Sequence, residues 1–510
     1  MPRILVYDVG TTSVKAALVD TETLMVTAST SGPLPMTYTS PREAVIRPRE
    51  LWSTVSRLSR SLMSRLNEPP SGLTIISQMA GVLPVDGEGR PLYDIMTWLD
   101  ERAAGLPRSL FQGFPMVSGY NLWELLRFLR ITGGAPSKTG KDAISKILWL
   151  KEVEKDIWRR TSVILDVKGF LHNIITGERI TTVDEANLSW LMDTRPSRSG
   201  WSNSILDKYG IPAEMLPRIV QPSTVIGEVK PGAAAQLGVP EGTPVVAGAG
   251  DVAGVAVGSG MVRPGETHLY LGTSNWLAAH TEKRLLDVFH YMGSLLSAIP
   301  GRYLFIAEQE VAGGALEWLL DRLKCHGERY RCLEESVKKA PPGSRGVLFA
   351  PWMYGERSPI DDDSVRGVFF NLSLSHGDPE LVRAVIEGVA YNVRFAYDYY
   401  VKHIGVPRSI NIVGGGALLD EWCQVMADLL GVEVRRTVQP RMVGARGGAV
   451  IAGVGLGYYR SFEEAAGLIG IERIFEPRGE LRDLYESRYR FFVDLYKSTR
   501  RLFRRMNTHG

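Results

Sequence analysis

The chain has 510 residues, of which 44% are hydrophobic and 23% are charged, and its formal net charge is +3. These values are typical of a globular protein with two to four domains, and its interspersed charges predict neither a nucleic-acid nor a membrane partner. No apolar run reaches the roughly 18 residues that a membrane helix needs, and the first residues lack the layout of a signal peptide. Three cysteines without paired spacing, Cys325, Cys332 and Cys423, indicate reduced thiols. We therefore expect a cytoplasmic protein.

Residues 4–19 predict a β-hairpin whose turn contains Gly10, Thr11 and Thr12. Glycine lets the backbone approach a ligand closely, and successive N–H groups with threonine hydroxyls can surround phosphate oxygens. Asp8 ends the first strand, and its carboxylate can face a phosphate only with a cation such as Mg²⁺ between the two like charges. The alternative is an ordinary hairpin without a ligand.

An amphipathic helix is predicted over 49–66 and a short buried strand over 73–77. Gln78, Met79 and Ala80 follow the carboxyl end of that strand, where parallel α/β sheets bind ligands.

A polyol site needs an apolar ring and charged hydrogen-bond partners, and Trp98, Asp100 and Arg102 offer these within five residues. The alternative is a structural Asp–Arg pair beside a core tryptophan. Further along, residues 119–160 are predicted to be mostly helical, and 182–187 to form a polar loop. The Pro- and Gly-rich stretch 221–244 is interpreted as the approach to a domain boundary.

A buried strand over 245–250 leads through glycines into Asp251 and a helix of small residues. In one interpretation Asp251 caps this helix. In the other, its carboxylate lies in a cleft and accepts a proton from an attacking hydroxyl group.

The second half of the chain opens with a hairpin similar to the first. Residues 268–279 again predict strand, turn and strand, with Gly272, Thr273 and Ser274 in the turn. A helix is predicted over 308–323. The strand at 410–413 leads into Gly414–Ala417 and a helix from about Asp420, an arrangement that suits phosphate or nucleotide binding. The basic tail is interpreted as a solvated face.

Taken together and in this order, these segments resemble the FGGY carbohydrate kinases, in particular the xylulokinase-like branch, over almost the whole chain. The segments that carry the resemblance are Asp8–Lys15, Gln78–Met79, Trp98–Arg102, Gly248–Asp251, Leu271–Ser274, Gly355–Pro359, Gly367–Phe370 and Gly414–Ala417. The resemblance implies an α/β protein of two actin-like (ribonuclease-H-like) ATPase domains, 1–244 and 245–510, with a nucleotide and sugar cleft between them.

The implied activity is ATP-dependent phosphorylation of a sugar or polyol, with a ketopentose such as xylulose as the leading substrate. Asp251 would be the general base and Asp8 would help to hold Mg²⁺. Gln78, Met79, Ala80, Trp98, Asp100, Arg102 and Asp251 would bind the sugar. The residues assigned to ATP are Gly10, Thr11, Thr12, Lys15, Gly272, Thr273, Ser274, Gly313, Glu317, Gly415, Gly416 and Asp420. The expected partner is a small molecule, and the resemblance also allows a homodimer.

One departure from the family pattern concerns the substrate. Xylulokinases usually carry Met-His where this chain carries Met79-Ala80, and glycerol kinases carry Arg-Glu. A missing polar partner can change discrimination between substrates by orders of magnitude, so other ketoses, sugar acids and polyols remain alternatives. An actin-like ATPase acting as a chaperone or scaffold, and a sugar-sensing binding protein, are alternatives from other classes.

Overall fold

The computed structural model describes residues 2–66, 68–196, 198–323 and 329–507. Cys325 and the side chain of Cys332 lie outside the described residues, so the prediction that these thiols are reduced stays a prediction. Cys423 is described as a free, buried thiol.

The chain divides into two compact units. Unit 1 comprises 1–258, 295–303 and 444–468, and unit 2 comprises 259–294, 304–443 and 469–510. This division differs from the predicted one at 244/245, because the strand Pro244–Gly250 pairs with Gly72–Ser77 in the sheet of unit 1. Residues 295–303 and 444–468 also return to that unit.

The strands are, in chain order, β1 Arg3–Val9, β2 Ser13–Asp20, β3 Val26–Pro33, β4 Met36–Ser40, β5 Glu43–Ile46, β6 Gly72–Ser77, β7 Leu83–Val85, β8 Ile95–Met96, β9 Met116–Val117, β10 Tyr120–Asn121, β11 Val163–Leu165, β12 Ile180–Thr182, β13 Met192–Asp193, β14 Gly200–Trp201, β15 Arg218–Val220, β16 Val225–Glu228, β17 Pro244–Gly250, β18 Thr267–Leu271, β19 Asn275–Thr281, β20 Gly293–Leu296, β21 Tyr303–Gln309, β22 Leu348–Ala350, β23 Val368–Phe370, β24 Ser409–Val413, β25 Glu433–Thr437 and β26 Ile471–Phe475.

The α-helices are, in chain order, α1 Pro48–Met63, α2 Arg108–Phe111, α3 Leu122–Thr132, α4 Ala143–Glu152, α5 Lys155–Arg160, α6 Val167–Ile175, α7 Val183–Leu188, α8 Asn203–Tyr209, α9 Pro231–Leu237, α10 Asp251–Gly258, α11 Gly313–Leu320, α12 Arg329–Lys339, α13 Asp378–Ile404, α14 Asp420–Leu430, α15 Val443–Gly455, α16 Phe462–Ala466 and α17 Arg482–Asn507.

The main sheet of unit 1 has the order β16-β17-β6-β1-β2-β3. β17 and β1 both run parallel to β6, whereas β2 pairs with β1 as the predicted antiparallel hairpin. These central strands are apolar and buried on both faces, as expected for strands covered by helices. The amphipathic helix α1 buries Leu51, Val55 and Leu58 in this core. The carboxyl ends of β1, β6 and β17 therefore lie side by side at one edge of the sheet.

The main sheet of unit 2 has the order β20-β21-β19-β18-β24-β25-β26. The predicted second hairpin forms β18 and β19, and β24 runs parallel to β18. The long helix α13 contacts α12, α14 and β22, and most of its length is buried. Trp352 and Trp422 are fully buried in this core.

Two predictions of local structure are wrong. Residues 182–187 are not a polar loop, because they form the end of β12 and the buried helix α7. The segment predicted to be helical over 308–323 begins as the end of β21, and its helix, α11, begins only at Gly313. Within the described residues, no helix has both the length and the apolar composition that crossing a membrane requires.

Candidate functional site

The turn between β1 and β2 is held by residues from two other predicted segments. Gly10 N–H donates to Ser13 O (3.0 Å), which closes the turn. Trp98 Nε1 donates to Thr11 Oγ1 (3.1 Å), and Gln78 Nε2 donates to Gly10 O (3.3 Å). The predicted phosphate turn and the predicted sugar-binding segments are thus in direct contact within unit 1.

Asp8 lies directly before this turn and faces Lys15 across the hairpin. Its carboxylate is 3.4 Å from Lys15 Nζ and its side chain is 14% exposed. The start of α15 packs against it, since a Cβ added to Gly444 would lie 3.0 Å from Asp8 Oδ2. Mg²⁺ in phosphate-transfer sites is commonly held by one or two carboxylates together with substrate phosphates, so a single carboxylate beside the predicted phosphate turn fits this ion.

Gln78, Met79 and Ala80 are all buried after the end of β6. Ala80 has a positive φ of 59°, which is unfavourable for a residue with a Cβ. Its N–H donates to Glu185 Oε1 (2.7 Å), and its carbonyl accepts from Lys146 Nζ (2.9 Å). Buried ionisable side chains therefore hold both backbone groups of Ala80.

Asp100 and Arg102 form a paired unit. Arg102 Nε and Nη2 donate to the two Asp100 carboxylate oxygens, each at 2.8 Å, and Ala44 N–H donates to Asp100 Oδ2 (3.0 Å). Asp100 is fully buried, and the Arg102 guanidinium lies over the Trp149 ring. This geometry has the features of the structural Asp–Arg pair that the sequence left open, whereas Trp98 remains partly exposed. Sugar binding by Asp100 and Arg102 stays a prediction.

Asp251 is the first residue of α10, at the end of β17. Its Oδ1 accepts the N–H of the next residue, Val252 (2.9 Å), and the side chain is partly exposed. The preceding Gly250 packs closely on Met79, because a Cβ there would lie 2.5 Å from the Met79 sulfur. Asp8 near the end of β1, the Gln78–Ala80 segment after β6 and Asp251 after β17 thus lie at one edge of the unit 1 sheet, where these three adjacent strands run parallel.

Beneath Asp251 lies a buried group of charged side chains that sequence reasoning missed. Asp184 Oδ2 accepts the Gly250 N–H (2.6 Å), and Lys168 Nζ lies 3.9 Å from both Glu185 Oε2 and Asp166 Oδ1. Burial opposes the charge on Lys168, yet the surrounding carboxylates hold its pKa above the usual value. Burial raises the pKa of Glu185, and the nearby charge of Lys168 offsets part of this increase. In the sequence, the polar composition of 182–187 is the signal for this buried group, but polarity alone predicts an exposed loop.

In unit 2 the turn Gly272–Ser274 contacts the start of α11. Ala312 N–H donates to Thr273 O (2.8 Å) and Gly313 N–H donates to Gly272 O (2.8 Å). The glycine turn after β24 lies against the same strand end, since a Cβ on Gly416 would lie 2.6 Å from the Leu271 side chain. Gly272, Thr273, Ser274, Gly313 and the Gly415–Gly416 turn therefore cluster, as the nucleotide prediction requires.

Two other residues predicted to contact the nucleotide lie at the edge of this cluster. Glu317 is exposed one turn into α11. Asp420 begins α14, and its carboxylate is paired with Arg436 Nη1 (2.7 Å) and with Arg473. These two arginines were not predicted from the sequence, and the roles of Glu317 and Asp420 stay predictions.

Comparison with known proteins identifies the class. The model of the FGGY family of carbohydrate kinases, N-terminal domain, matches residues 3–258, and that of the C-terminal domain matches residues 268–456. Xylulose kinase of Staphylococcus epidermidis is 26% identical over 503 residues, covering 98% of this chain and 97% of that protein. Gluconokinase of Bacillus licheniformis is 25% identical over 513 residues, covering 97% of this chain and 96% of that protein. The crystal structure of ligand-bound xylulose kinase from Lactobacillus acidophilus superposes with a TM-score of 0.86 at 24% identity, covering 98% of each chain.

The fold and these matches define a sugar kinase with the two-domain, actin-like ATPase architecture. The chain belongs to the FGGY family of carbohydrate kinases, as the sequence motifs predicted. It is accordingly a phosphotransferase that acts on small-molecule sugars with ATP as phosphate donor. The chaperone or scaffold alternative is not supported.

Proposed function

We propose that this kinase transfers the γ-phosphoryl group of ATP to a primary hydroxyl of a ketopentose such as xylulose, with Asp251 as the general base. The observation that carries the proposal is the common sheet edge in unit 1. There the phosphate turn, the Gln78–Ala80 segment and Asp251 follow the adjacent strands β1, β6 and β17.

In the proposed reaction the Asp251 carboxylate accepts the hydroxyl proton while the hydroxyl oxygen attacks the γ-phosphorus. The bond from that phosphorus to the bridging oxygen breaks, and ADP leaves. A positioned general base is typically worth about 10²- to 10⁴-fold in rate. Because Asp251 begins α10, its backbone is fixed, whereas its partly exposed carboxylate can reach a substrate.

The remaining catalytic work in phosphoryl transfer is positioning and stabilisation of charge. In unit 1 the backbone of Gly10–Thr12 and the side chain of Lys15 would contact phosphate oxygens, and Asp8 would hold Mg²⁺, which neutralises phosphate charge when bound. In unit 2 the Gly272–Ser274 turn would contact phosphate. Gly313, Glu317, Gly415, Gly416 and Asp420 would contact the nucleoside.

A second candidate is a kinase for a sugar acid such as gluconate. Two observations favour keeping it: Ala80 supplies no side-chain polar group where xylulokinases usually have histidine, and a gluconokinase matches the chain over nearly its full length. The buried methyl group of Ala80 leaves recognition of that part of the substrate to other residues.

The test is ATP-to-ADP turnover with Mg²⁺ across ketoses, aldoses, sugar acids and polyols, with a control lacking sugar. We expect strong stimulation by one ketopentose and a loss of about 10²- to 10⁴-fold in kcat in Asp251→Asn. Asp378→Asn, which changes the first residue of another helix, α13, is the matched control and should retain activity. Near-normal phosphorylation by Asp251→Asn would overturn the general-base assignment, and stimulation by gluconate alone would select the second candidate.

A further inference from the structure

Helix α7 places two adjacent acids in the interior of unit 1. Asp184 is fully buried and Glu185 is 5% exposed. Each accepts one backbone N–H from a different segment, Asp184 from Gly250 and Glu185 from Ala80, at 2.6 and 2.7 Å. The acid pair therefore ties the two segments to consecutive residues of one short helix.

The two tied segments are those that carry the proposed chemistry. Gly250 directly precedes Asp251, and Ala80 ends the proposed sugar-binding segment. Neither residue has a polar side chain, so neither can fix its own backbone through a local side-chain hydrogen bond. The acceptors come instead from α7, more than 60 residues away along the chain in each case.

Ala80 depends on this support more than an ordinary residue would. Its left-handed conformation brings the Cβ of an L-residue too close to the following carbonyl oxygen and is therefore strained. Such conformations persist only where the surroundings over-determine them, and they cluster at functional sites. Glu185 holds the N–H and Lys146 holds the carbonyl, so buried side chains from α7 and α4 impose this conformation.

Lys168 compensates the acids electrostatically. It is fully buried on α6, 3.9 Å from Glu185 Oε2 and from Asp166 Oδ1, and it also interacts with Asp184 and Asp251. Buried charged groups are strongly destabilising unless they are paired, and an apolar core of the same volume is often at least as stable. Stability alone is therefore a weak reason to bury Lys168 together with Asp166, Asp184 and Glu185.

We propose that Asp184 and Glu185, supported by Lys168 and Lys146, are positioning residues that set the sugar-binding segment at Ala80 against the general-base segment at Gly250–Asp251. The inference rests on the proposed function and deepens it. A displacement of about 1 Å between reacting groups can cost on the order of 10²-fold in rate. The acid pair acts through the backbone of other residues and touches no reacting atom.

The test compares Asp184→Ala and Glu185→Ala with the wild type in steady-state kinetics with the accepted sugar. We expect kcat to fall by about 10- to 100-fold, whereas KM for ATP changes by less than about twofold because the nucleotide groups are untouched. Asp184→Asn and Glu185→Gln keep an acceptor oxygen and should recover most of the lost rate.

The matched control is Asp20→Ala. Asp20 is also a buried acid of unit 1 that accepts backbone N–H groups, from Glu22 and Thr23, but it lies at the opposite end of the first hairpin from the phosphate turn. We expect it to lower thermal stability and to leave kcat unchanged. If the α7 variants lose stability as Asp20→Ala does while keeping kcat within twofold of the wild type, the acids are merely structural and the proposal is overturned.

Residue-resolved hydrogen exchange keeps the proposal testable should the alanine variants not fold. In the wild type we expect slow exchange of the Ala80 and Gly250 amides. Because a neutral amide oxygen is a weaker acceptor than a carboxylate, Asp184→Asn should accelerate exchange modestly and only at Gly250, and Glu185→Gln modestly and only at Ala80. Fast exchange of both amides in the wild type would overturn the proposal. Absence of any sugar-stimulated turnover in the wild type would instead overturn the proposed function, so the two failures are distinguishable.

Discussion

Burial changes the protonation of Lys146, which contacts the backbone of the proposed sugar-binding segment. Burial lowers its pKa to about 7, and the carboxylates of Asp142, Asp100 and Glu185 offset only part of this effect, while Arg102 adds to it. The folded chain therefore favours the neutral amine, whereas the unfolded chain remains protonated up to its ordinary pKa near 10.5. At the residue scale, this makes stability depend on pH.

We predict that wild-type stability rises, relative to Lys146→Met, as the pH increases from about 7 towards 10. Between those values the unfolded state binds more protons, which gives a slope of about 1.4 kcal/mol per pH unit at most. The measurement is the thermal unfolding midpoint of both proteins at pH 7, 8 and 9. A constant difference between them across this range would show that Lys146 titrates normally.

Burial of Glu356 in unit 2 has the opposite effect on the pH dependence of stability, which falls as the pH rises. Burial raises its pKa to about 7, although its carboxylate accepts N–H bonds from Glu310, Arg357 and the Asn392 side chain. The folded chain thus holds a proton that the unfolded chain releases above pH 4.5. The bond from Glu310 fixes the segment that leads from β21 to α11, the helix whose Gly313 and Glu317 are predicted to contact the nucleotide.

We predict that the stability advantage of the wild type over Glu356→Gln is largest near pH 5 and shrinks as the pH rises to about 7, by on the order of 2 kcal/mol. The glutamine cannot ionise, so only the wild type loses stability in this window. Chemical denaturation of both proteins at pH 5, 6, 7 and 8 measures the difference. A difference that grows with pH would contradict the assignment.

At the scale of elements, α15 supports both acids of the proposed unit 1 site. Its Gly444 packs against Asp8, and its Gly447 faces α10, the helix that begins with Asp251. A Cβ on Gly447 would lie 1.8 Å from Gly254 O, so the two helices approach at backbone distance. The glycine- and alanine-rich composition of α15 is explained by this contact.

We predict that Gly447→Ala destabilises unit 1 by about 1–3 kcal/mol, since the helices must separate to admit the methyl group. It should also lower kcat, because α10 carries Asp251. Gly232→Ala in α9 is the control: a Cβ there meets nothing within 4 Å, so this change should be neutral or slightly stabilising. Thermal unfolding and turnover of both variants give the comparison, and equal stability of the two would refute tight packing at Gly447.

At the scale of the whole molecule, binding of the correct ligands must add to stability by mass action. A ligand present at 100 times its Kd stabilises the protein that binds it by about 2.7 kcal/mol. We predict that ATP and one sugar class each raise the unfolding midpoint by a few degrees, whereas sugars that are not substrates do not. Thermal unfolding with the same panel used for turnover tests this independently of catalysis. A sugar that is phosphorylated rapidly but causes no shift at millimolar concentration would contradict it.

Local patterns in the sequence predicted much of the fold. Apolar runs interrupted by Gly-Thr-Thr and Gly-Thr-Ser predicted both hairpins, because turn chemistry and strand periodicity are properties of neighbouring residues. The strand that leads into Asp251 and the glycine turn at 414–416 were predicted for the same reason. The order of these motifs was also sufficient to recognise the family.

The tertiary structure decided what local patterns left open. The spacing of Asp100 and Arg102 allowed a sugar site or a structural pair, and only the fold brings the Ala44 N–H to Asp100 Oδ2 as a further donor. The polar run at 182–187 resembles a loop because polarity usually means exposure. Its burial in α7 depends on Lys168 and on the Ala80 and Gly250 amides, which lie far away along the chain. Compensation of buried charge is a long-range property, and it exists only after the chain has folded.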